Sequence, residues 1–129
     1  MAPGFNWVID PMDGTTNFIR GYQPSAISVG LVQDGQGVMG LVLDLGTGEL
    51  FTAVRGGGAF CNGNPLQGAQ APLENAVIVF GTAPYYRELA DATFAAAKEL
   101  FLCCGDLRRS GSAALDLCHV AAGQCDGLF

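Results

Sequence analysis

The chain has 129 residues, 50% hydrophobic and 14% charged, with 19 Gly and a formal net charge of −6 from 12 acidic and 6 basic residues. That length holds one domain at most, and so apolar a composition excludes intrinsic disorder. The acidic balance excludes a broad basic surface for nucleic acid or anionic membrane, and no apolar run reaches the about 18 residues of a membrane span.

Met1-Ala2-Pro3-Gly4 has neither the basic start nor the apolar core of a signal peptide. Phe5 to Ile9 is a short apolar, β-branched run, read as a buried strand that delivers Asp10 to its C-terminal end. Pro11, Gly14 and Thr15-Thr16-Asn17 then force a loop, and Thr15 or Thr16 is expected to cap a helix of one or two turns closed by Gly21. From Ser25 to Val54, Ile27, Val29 and Leu31 alternate with Ser28 and Gly30, with turns at Asp34-Gly35-Gln36-Gly37 and Leu45-Gly46-Thr47-Gly48. Three consecutive strands with short turns indicate an antiparallel meander. Gly56-Gly57-Gly58 lacks the Lys-Ser/Thr that follows a phosphate loop, so it reads as a bulge or tight crossing before Ala59-Phe60-Cys61 and the turn Asn62–Pro65.

Ala76–Phe80 is a further strand. The stretch to Leu100 places Leu89, Thr93, Ala96 and Leu100 at helical spacing opposite Arg87, Asp91, Lys98 and Glu99. Phe101-Leu102-Cys103-Cys104 reads as a strand, and Ser110-Gly111-Ser112 as the cap of an apolar helix from Ala113 to Ala122, stopped by Gly123 and expected to lie buried between layers. The expected fold class is α/β, a layered sandwich with a mainly antiparallel sheet and two principal helices. Five cysteines without a C-x-x-C argue for reduced thiols and a cytoplasmic setting. His119 stands alone and reads as structural, and Arg108-Arg109 as a solvated or acid-paired couple. A mean hydropathy of +0.32 leaves apolar surface that is expected to meet a partner, and both ends read as cut through structure.

Chemistry concentrates in Asp10-Pro11-Met12-Asp13-Gly14-Thr15-Thr16-Asn17. Two carboxylates on one tight loop are hard oxygen donors suited to Mg²⁺ or Mn²⁺, with the Met12 carbonyl as a third. The N–H groups of Gly14 and Thr15 open a helix, which favours an anion. The alternative is that both aspartates form only Asx-turns.

The longer string Trp7–Phe18 closely resembles the signature of the inositol monophosphatase family, Mg²⁺-dependent, lithium-sensitive phosphomonoesterases. Gly57–Gly63, Arg108–Leu117 and Val120–Gly123 resemble later segments of the same family, so residues 1–129 read as part of such a domain, of the sugar-phosphatase type. The resemblance implies that Asp10 bridges metals, that the Met12 carbonyl binds one, and that Asp13 binds a second and touches a substrate hydroxyl. It implies that Gly14 and Thr15 hold phosphate, that the Thr15 hydroxyl helps to orient and deprotonate the attacking water, and that Gly111, Ser112 and Ala113 receive hydroxyls of the alcohol. Family members also carry a Gly-Glu-Glu motif upstream and a Trp-Asp motif downstream, and neither is found in these residues. Little or no phosphatase activity is therefore expected of this chain alone. A small phosphate monoester as substrate and a dimer are the expected partners. Fructose bisphosphatase-like or phosphoadenosine phosphate phosphatase-like activity, or a non-catalytic homologue acting through protein association, are the alternatives.

Overall fold

The alternating run from Phe5 onward folds as a meander in the computed structural model, which describes residues 2–69 and 71–129. Strands β1 (Phe5–Asp13), β2 (Ala26–Gln33), β3 (Gln36–Asp44), β4 (Leu50–Val54), β5 (Gly58–Cys61) and β6 (Asn64–Pro65) form one sheet in that order. Every pairing is antiparallel, as short connections require. The β2–β3 turn is Asp34-Gly35, with φ of 49° and 80°, the left-handed pair whose twist suits a two-residue hairpin. Gly56 and Gly58 also lie at positive φ between β4 and β5, so the triple glycine is the expected tight passage between strands.

A second sheet holds β7 (Val77–Val79), β8 (Asp106–Arg108) and β9 (Gly127–Leu128) in the order β8-β7-β9, with both pairings parallel. Parallel neighbours need long crossovers, and helices α2 (Ala90–Phe101) and α3 (Ala113–Ala121) lie in them. The structure is thus α/β and mainly antiparallel, with two principal helices and a five-residue helix α1 (Thr15–Ile19) between β1 and β2. No helix among the described residues is long and apolar enough to cross a membrane.

Several sequence expectations need correction here. Phe5–Ile9 is a strand but not a buried one, since Phe5, Trp7 and Ile9 are more than half exposed on an edge strand paired with β2 alone, and β1 runs on through Pro11 and Met12 to Asp13 rather than giving way to a loop. Phe101-Leu102-Cys103-Cys104 is no strand: Phe101 ends α2, and the N–H groups of Cys103 and Cys104 both bond back to the Leu100 carbonyl. A four-residue apolar run has no periodicity to separate strand from helix end, and Asp106–Arg108, two charged residues flanking Leu107, pairs with β7 instead. The apolar face of α2 is also shifted, with Thr93, Ala97 and Leu100 turned inward and Ala96 exposed.

The core lies where α3 crosses the large sheet. Ala26, Phe51 and Leu115 are buried together, with Val42, Cys61, Leu66, Cys118 and Ala122 packed around them. Burying Leu115 alone stabilises the fold by about 2 kcal/mol. His119 stands edge-on to Phe51 at 6.4 Å, the structural place expected of it. The expected burial of α3 on all sides is not realised, since Leu117 is 60% exposed while Leu115 and Asp116 are buried. The helix meets β2 and β3 of the large sheet and β9 of the small one, which leaves Leu117 open.

Candidate functional site

Asp10 pairs with Ser28 and Asp13 with Ala26, so three steps along β1 match two along β2. Residues three apart on a regular strand face opposite sides. One surplus residue, a bulge at Pro11-Met12, restores both carboxylates to one side. Asp10, Met12 and Asp13 accordingly line one cavity of about 570 Å³. The Asp10 Oδ1 accepts from the Met12 N–H at 3.0 Å, which holds the bulge closed.

After Asp13 the chain reverses through Gly14, at φ 77°, and enters α1. Gly14 occupies the N-cap position, and neither Thr15 nor Thr16 caps the helix, because the left-handed turn places both inside it. Thr15 Oγ1 instead donates to the Met12 carbonyl at 2.7 Å. A Cβ on Gly14 would stand 2.8 Å from the Pro24 carbonyl oxygen and 3.4 Å from that of Gly111, so the site closes on this glycine from two sides.

The start of α3 completes the constellation. Ser112 is the N-cap, and its Oγ accepts from the Leu115 N–H, as the sequence led one to expect. The same hydroxyl donates to Asp13 Oδ2 at 2.6 Å, and the Ala114 N–H donates to that oxygen at 2.9 Å. Asp13 therefore sits at the positive end of α3 while standing on another sheet. Ser112 is fully buried and its hydroxyl is engaged in both roles, so Gly111 and the exposed Ala113 are the parts of this segment open to a ligand.

Several residues of the site carry no role in the sequence reading. Asp116 is buried, accepts from Ser110 Oγ, and has its carboxyl pushed above the ordinary carboxylate value. Burial is the main cause; the Ser110 hydrogen bond and His119 oppose it, and the Asp13 charge adds to it. An acid inside an otherwise apolar helix was the signal for it, because such a group must find a partner. Asn17 Nδ2 bonds the carbonyls of Pro24 and Ser110. Arg108 pairs with Asp106 at the surface, whereas Arg109 donates to Thr82 Oγ1 at 2.6 Å and lines the cavity.

The cavity opens beyond the carboxyl ends of the parallel strands, where Phe80, Gly81 and Thr82 follow β7 and Arg109 follows β8. Ligand sites of α/β sheets lie at such strand ends. A second hollow of about 540 Å³, between the large sheet and α3, is lined by side chains such as Val8, Leu41 and Leu117 and holds no acid or base. The polar chemistry belongs to the first.

The sequence matches the inositol monophosphatase family over residues 2–129. The chain belongs to that family. Inositol-1-monophosphatase of Rhizobium meliloti is 44% identical over 124 residues, which cover 95% of this chain and 47% of that protein. The protein named Nus factor SuhB in Pasteurella multocida is likewise 44% identical, over 95% of this chain and 46% of its own length. Among solved structures, inositol monophosphatase from Anabaena superposes with a TM-score of 0.92 at 39% identity, covering 96% of this chain and 52% of that one. A dual-specific inositol monophosphatase/NADP phosphatase bound to D-inositol-1-phosphate has a TM-score of 0.78 at 29% identity, with 95% and 46% covered. The chain thus spans about half the length of the curated relatives it matches.

Proposed function

We propose that this member of the inositol monophosphatase family forms part of a Mg²⁺-dependent phosphomonoesterase site for inositol monophosphate or a similar small polyol phosphate. The observation that supports it best is the bulge in β1, which turns Asp10, Met12 and Asp13 toward the cavity that also receives the start of α3. The donors are two carboxylates and a carbonyl, a set that fits Mg²⁺ in kind, with Mn²⁺ as the alternative, and leaves most positions to water. With three oxygen donors the ion stays mostly hydrated and is expected to bind weakly, and the isolated chain to turn over little or not at all.

Asp10, the Met12 carbonyl and Asp13 are the groups that would hold the metal. When bound, it supplies a more acidic water and offsets charge on the attacking and leaving oxygens. Thr15 has committed its proton to the Met12 carbonyl, so its oxygen keeps lone pairs that can accept from and orient a water. The N–H groups of Gly14 and Thr15 are assigned to the phosphate. Asp13 is also assigned to a substrate hydroxyl, with Gly111 and Ala113 receiving others and the buried Ser112 holding that segment against Asp13. A dimer in the cytoplasm is the setting assigned to the protein.

Titration calorimetry with Mg²⁺ and inositol 1-phosphate, run beside a hydrolysis assay, tests this reading. Binding that needs both components and is lost in Asp10→Asn and Asp13→Asn is the expected result; binding retained in both variants overturns it. Robust turnover by the isolated chain, abolished by Asp10→Asn, would overturn the incomplete-site part alone.

A second reading, a non-catalytic homologue acting by association, is supported by β1, where Phe5, Trp7 and Ile9 are each more than half exposed. A substrate panel that includes NADP and fructose bisphosphate separates the sister phosphatase activities.

A further inference from the structure

We propose that Asn17 is a positioning residue that sets the spacing between the phosphate end and the hydroxyl end of this site. The inference rests on the reading above and adds a residue assigned to neither metal nor phosphate. Asn17 Nδ2 donates to the Pro24 carbonyl at 2.7 Å and to the Ser110 carbonyl at 3.0 Å. A primary amide has two N–H donors fixed in one plane, and here both are used, on two segments far apart in sequence. The Ser110 contact spans 93 positions of sequence.

The neighbourhood leaves this clasp little freedom. A Cβ on Gly111 would stand 2.9 Å from Asn17 Nδ2 and 2.7 Å from Arg109 Nη1, so the side chain lies directly against the Gly111 backbone. Ser110 is itself held, because its Oγ donates to the buried Asp116 and accepts from the Ser112 N–H at 3.1 Å. On the other side of the gap, Asp13 ties the same segment through Ser112 and Ala114. Two ties, Asn17–Ser110 and Asp13–Ser112, thus fix the start of α3 relative to Gly14 and Thr15. Asp13 is committed to the metal and substrate as well, which leaves Asn17 as the tie with no other task.

A rigid spacing matters only to a ligand that spans it. Inorganic phosphate engages the Gly14–Thr15 end alone, whereas inositol 1-phosphate engages both ends. Losing the clasp therefore weakens the second ligand selectively, and displacements of about 1 Å are enough to change such paired recognition by tenfold or more.

The test compares wild type, Asn17→Ala and Ser110→Ala in NMR-detected titrations with inorganic phosphate and with inositol 1-phosphate, each in excess Mg²⁺. For Asn17→Ala the expected result is a loss of about tenfold or more for inositol 1-phosphate, with inorganic phosphate affinity within about twofold of wild type. Ser110→Ala keeps the carbonyl that Asn17 grips but frees it from Asp116, and the same selective loss, smaller in size, is expected. If Asn17→Ala does not fold, the ratio in Ser110→Ala decides. Equal losses for both ligands would reduce Asn17 to a structural bond and overturn the proposal, as would no loss for either. Wild type that binds neither ligand would overturn the phosphatase reading, and this inference with it.

Discussion

The six-stranded sheet is built from neighbours in sequence: each strand pairs with the next, and β2 reaches β3 through two residues. The β8-β7-β9 sheet has strands of two or three residues that meet only after α2 and α3 have been laid down between them. The site draws one half from each. Its carboxylates stand at the margin of the large sheet, and the α3 segment that grips Asp13 lies 101 positions further along the chain. Local pairing makes a platform cheaply in loop-closure entropy, whereas closing a site requires contacts whose loops must be ordered first. Damage at the junction should therefore be felt in both stability and ligand binding, and damage within the meander in stability alone.

Gly14→Ala strikes the junction hardest. It forces a side chain into the left-handed region and against the Pro24 carbonyl, 2.8 Å away. A loss of about 3 kcal/mol in urea unfolding, together with loss of Mg²⁺-dependent inositol phosphate binding, is expected. Asp13→Ala comes next: it strands the Ser112 hydroxyl and the Ala114 N–H, at about 2 kcal/mol and again with loss of binding. Gly35→Ala tests the other region. Its φ of 80° is equally left-handed but nothing lies within 4 Å of the new methyl, so about 1 kcal/mol is lost and ligand binding is kept. A change in binding by Gly35→Ala comparable to that of Asp13→Ala would dissolve the distinction between the two regions.

The smallest effect concerns Cys118, under α3, whose thiol burial pushes up to about 11. A raised value means that the protonated thiol is the form the fold prefers. That contribution is complete below the ordinary value of 9.0 and is lost as pH rises through about 11. Melting temperatures at pH 8 and pH 10.5 should converge on those of Cys118→Ala at the higher pH. Iodoacetamide at pH 8 should label the exposed Cys103 well before Cys118, because only about one thiol in a thousand is ionised three units below its pKa.

How far the sequence could be read follows the same division. The strand that enters Asp10, the meander to Val54 and the Ser112 cap are written in local periodicity and side-chain chemistry, and each is found, although β1 runs on to Asp13 and lies exposed where burial was expected. Asp106–Arg108 could not be read, because nothing in one leucine between two charged residues announces a partner strand almost thirty positions earlier. Thr15 is misread as a cap because the backbone turns left-handed at Gly14 one residue too soon. Asn17 stays silent for another reason: one of its partners, Ser110, lies 93 positions along the chain and arrives only once both sheets are assembled, whereas Asp116, whose partner Ser110 is local, left its one signal as an acid in an apolar helix.

The bulge between Asp10 and Asp13 has a consequence for how such a protein changes over generations. An insertion of one residue into β2 between Ala26 and Ser28 would leave both aspartates in the chain and give β1 and β2 an unbroken ladder, three steps against three. The two acids would then point to opposite faces of the sheet. What the site depends on here is parity, a count of residues being odd rather than even, and no comparison of composition would register its loss.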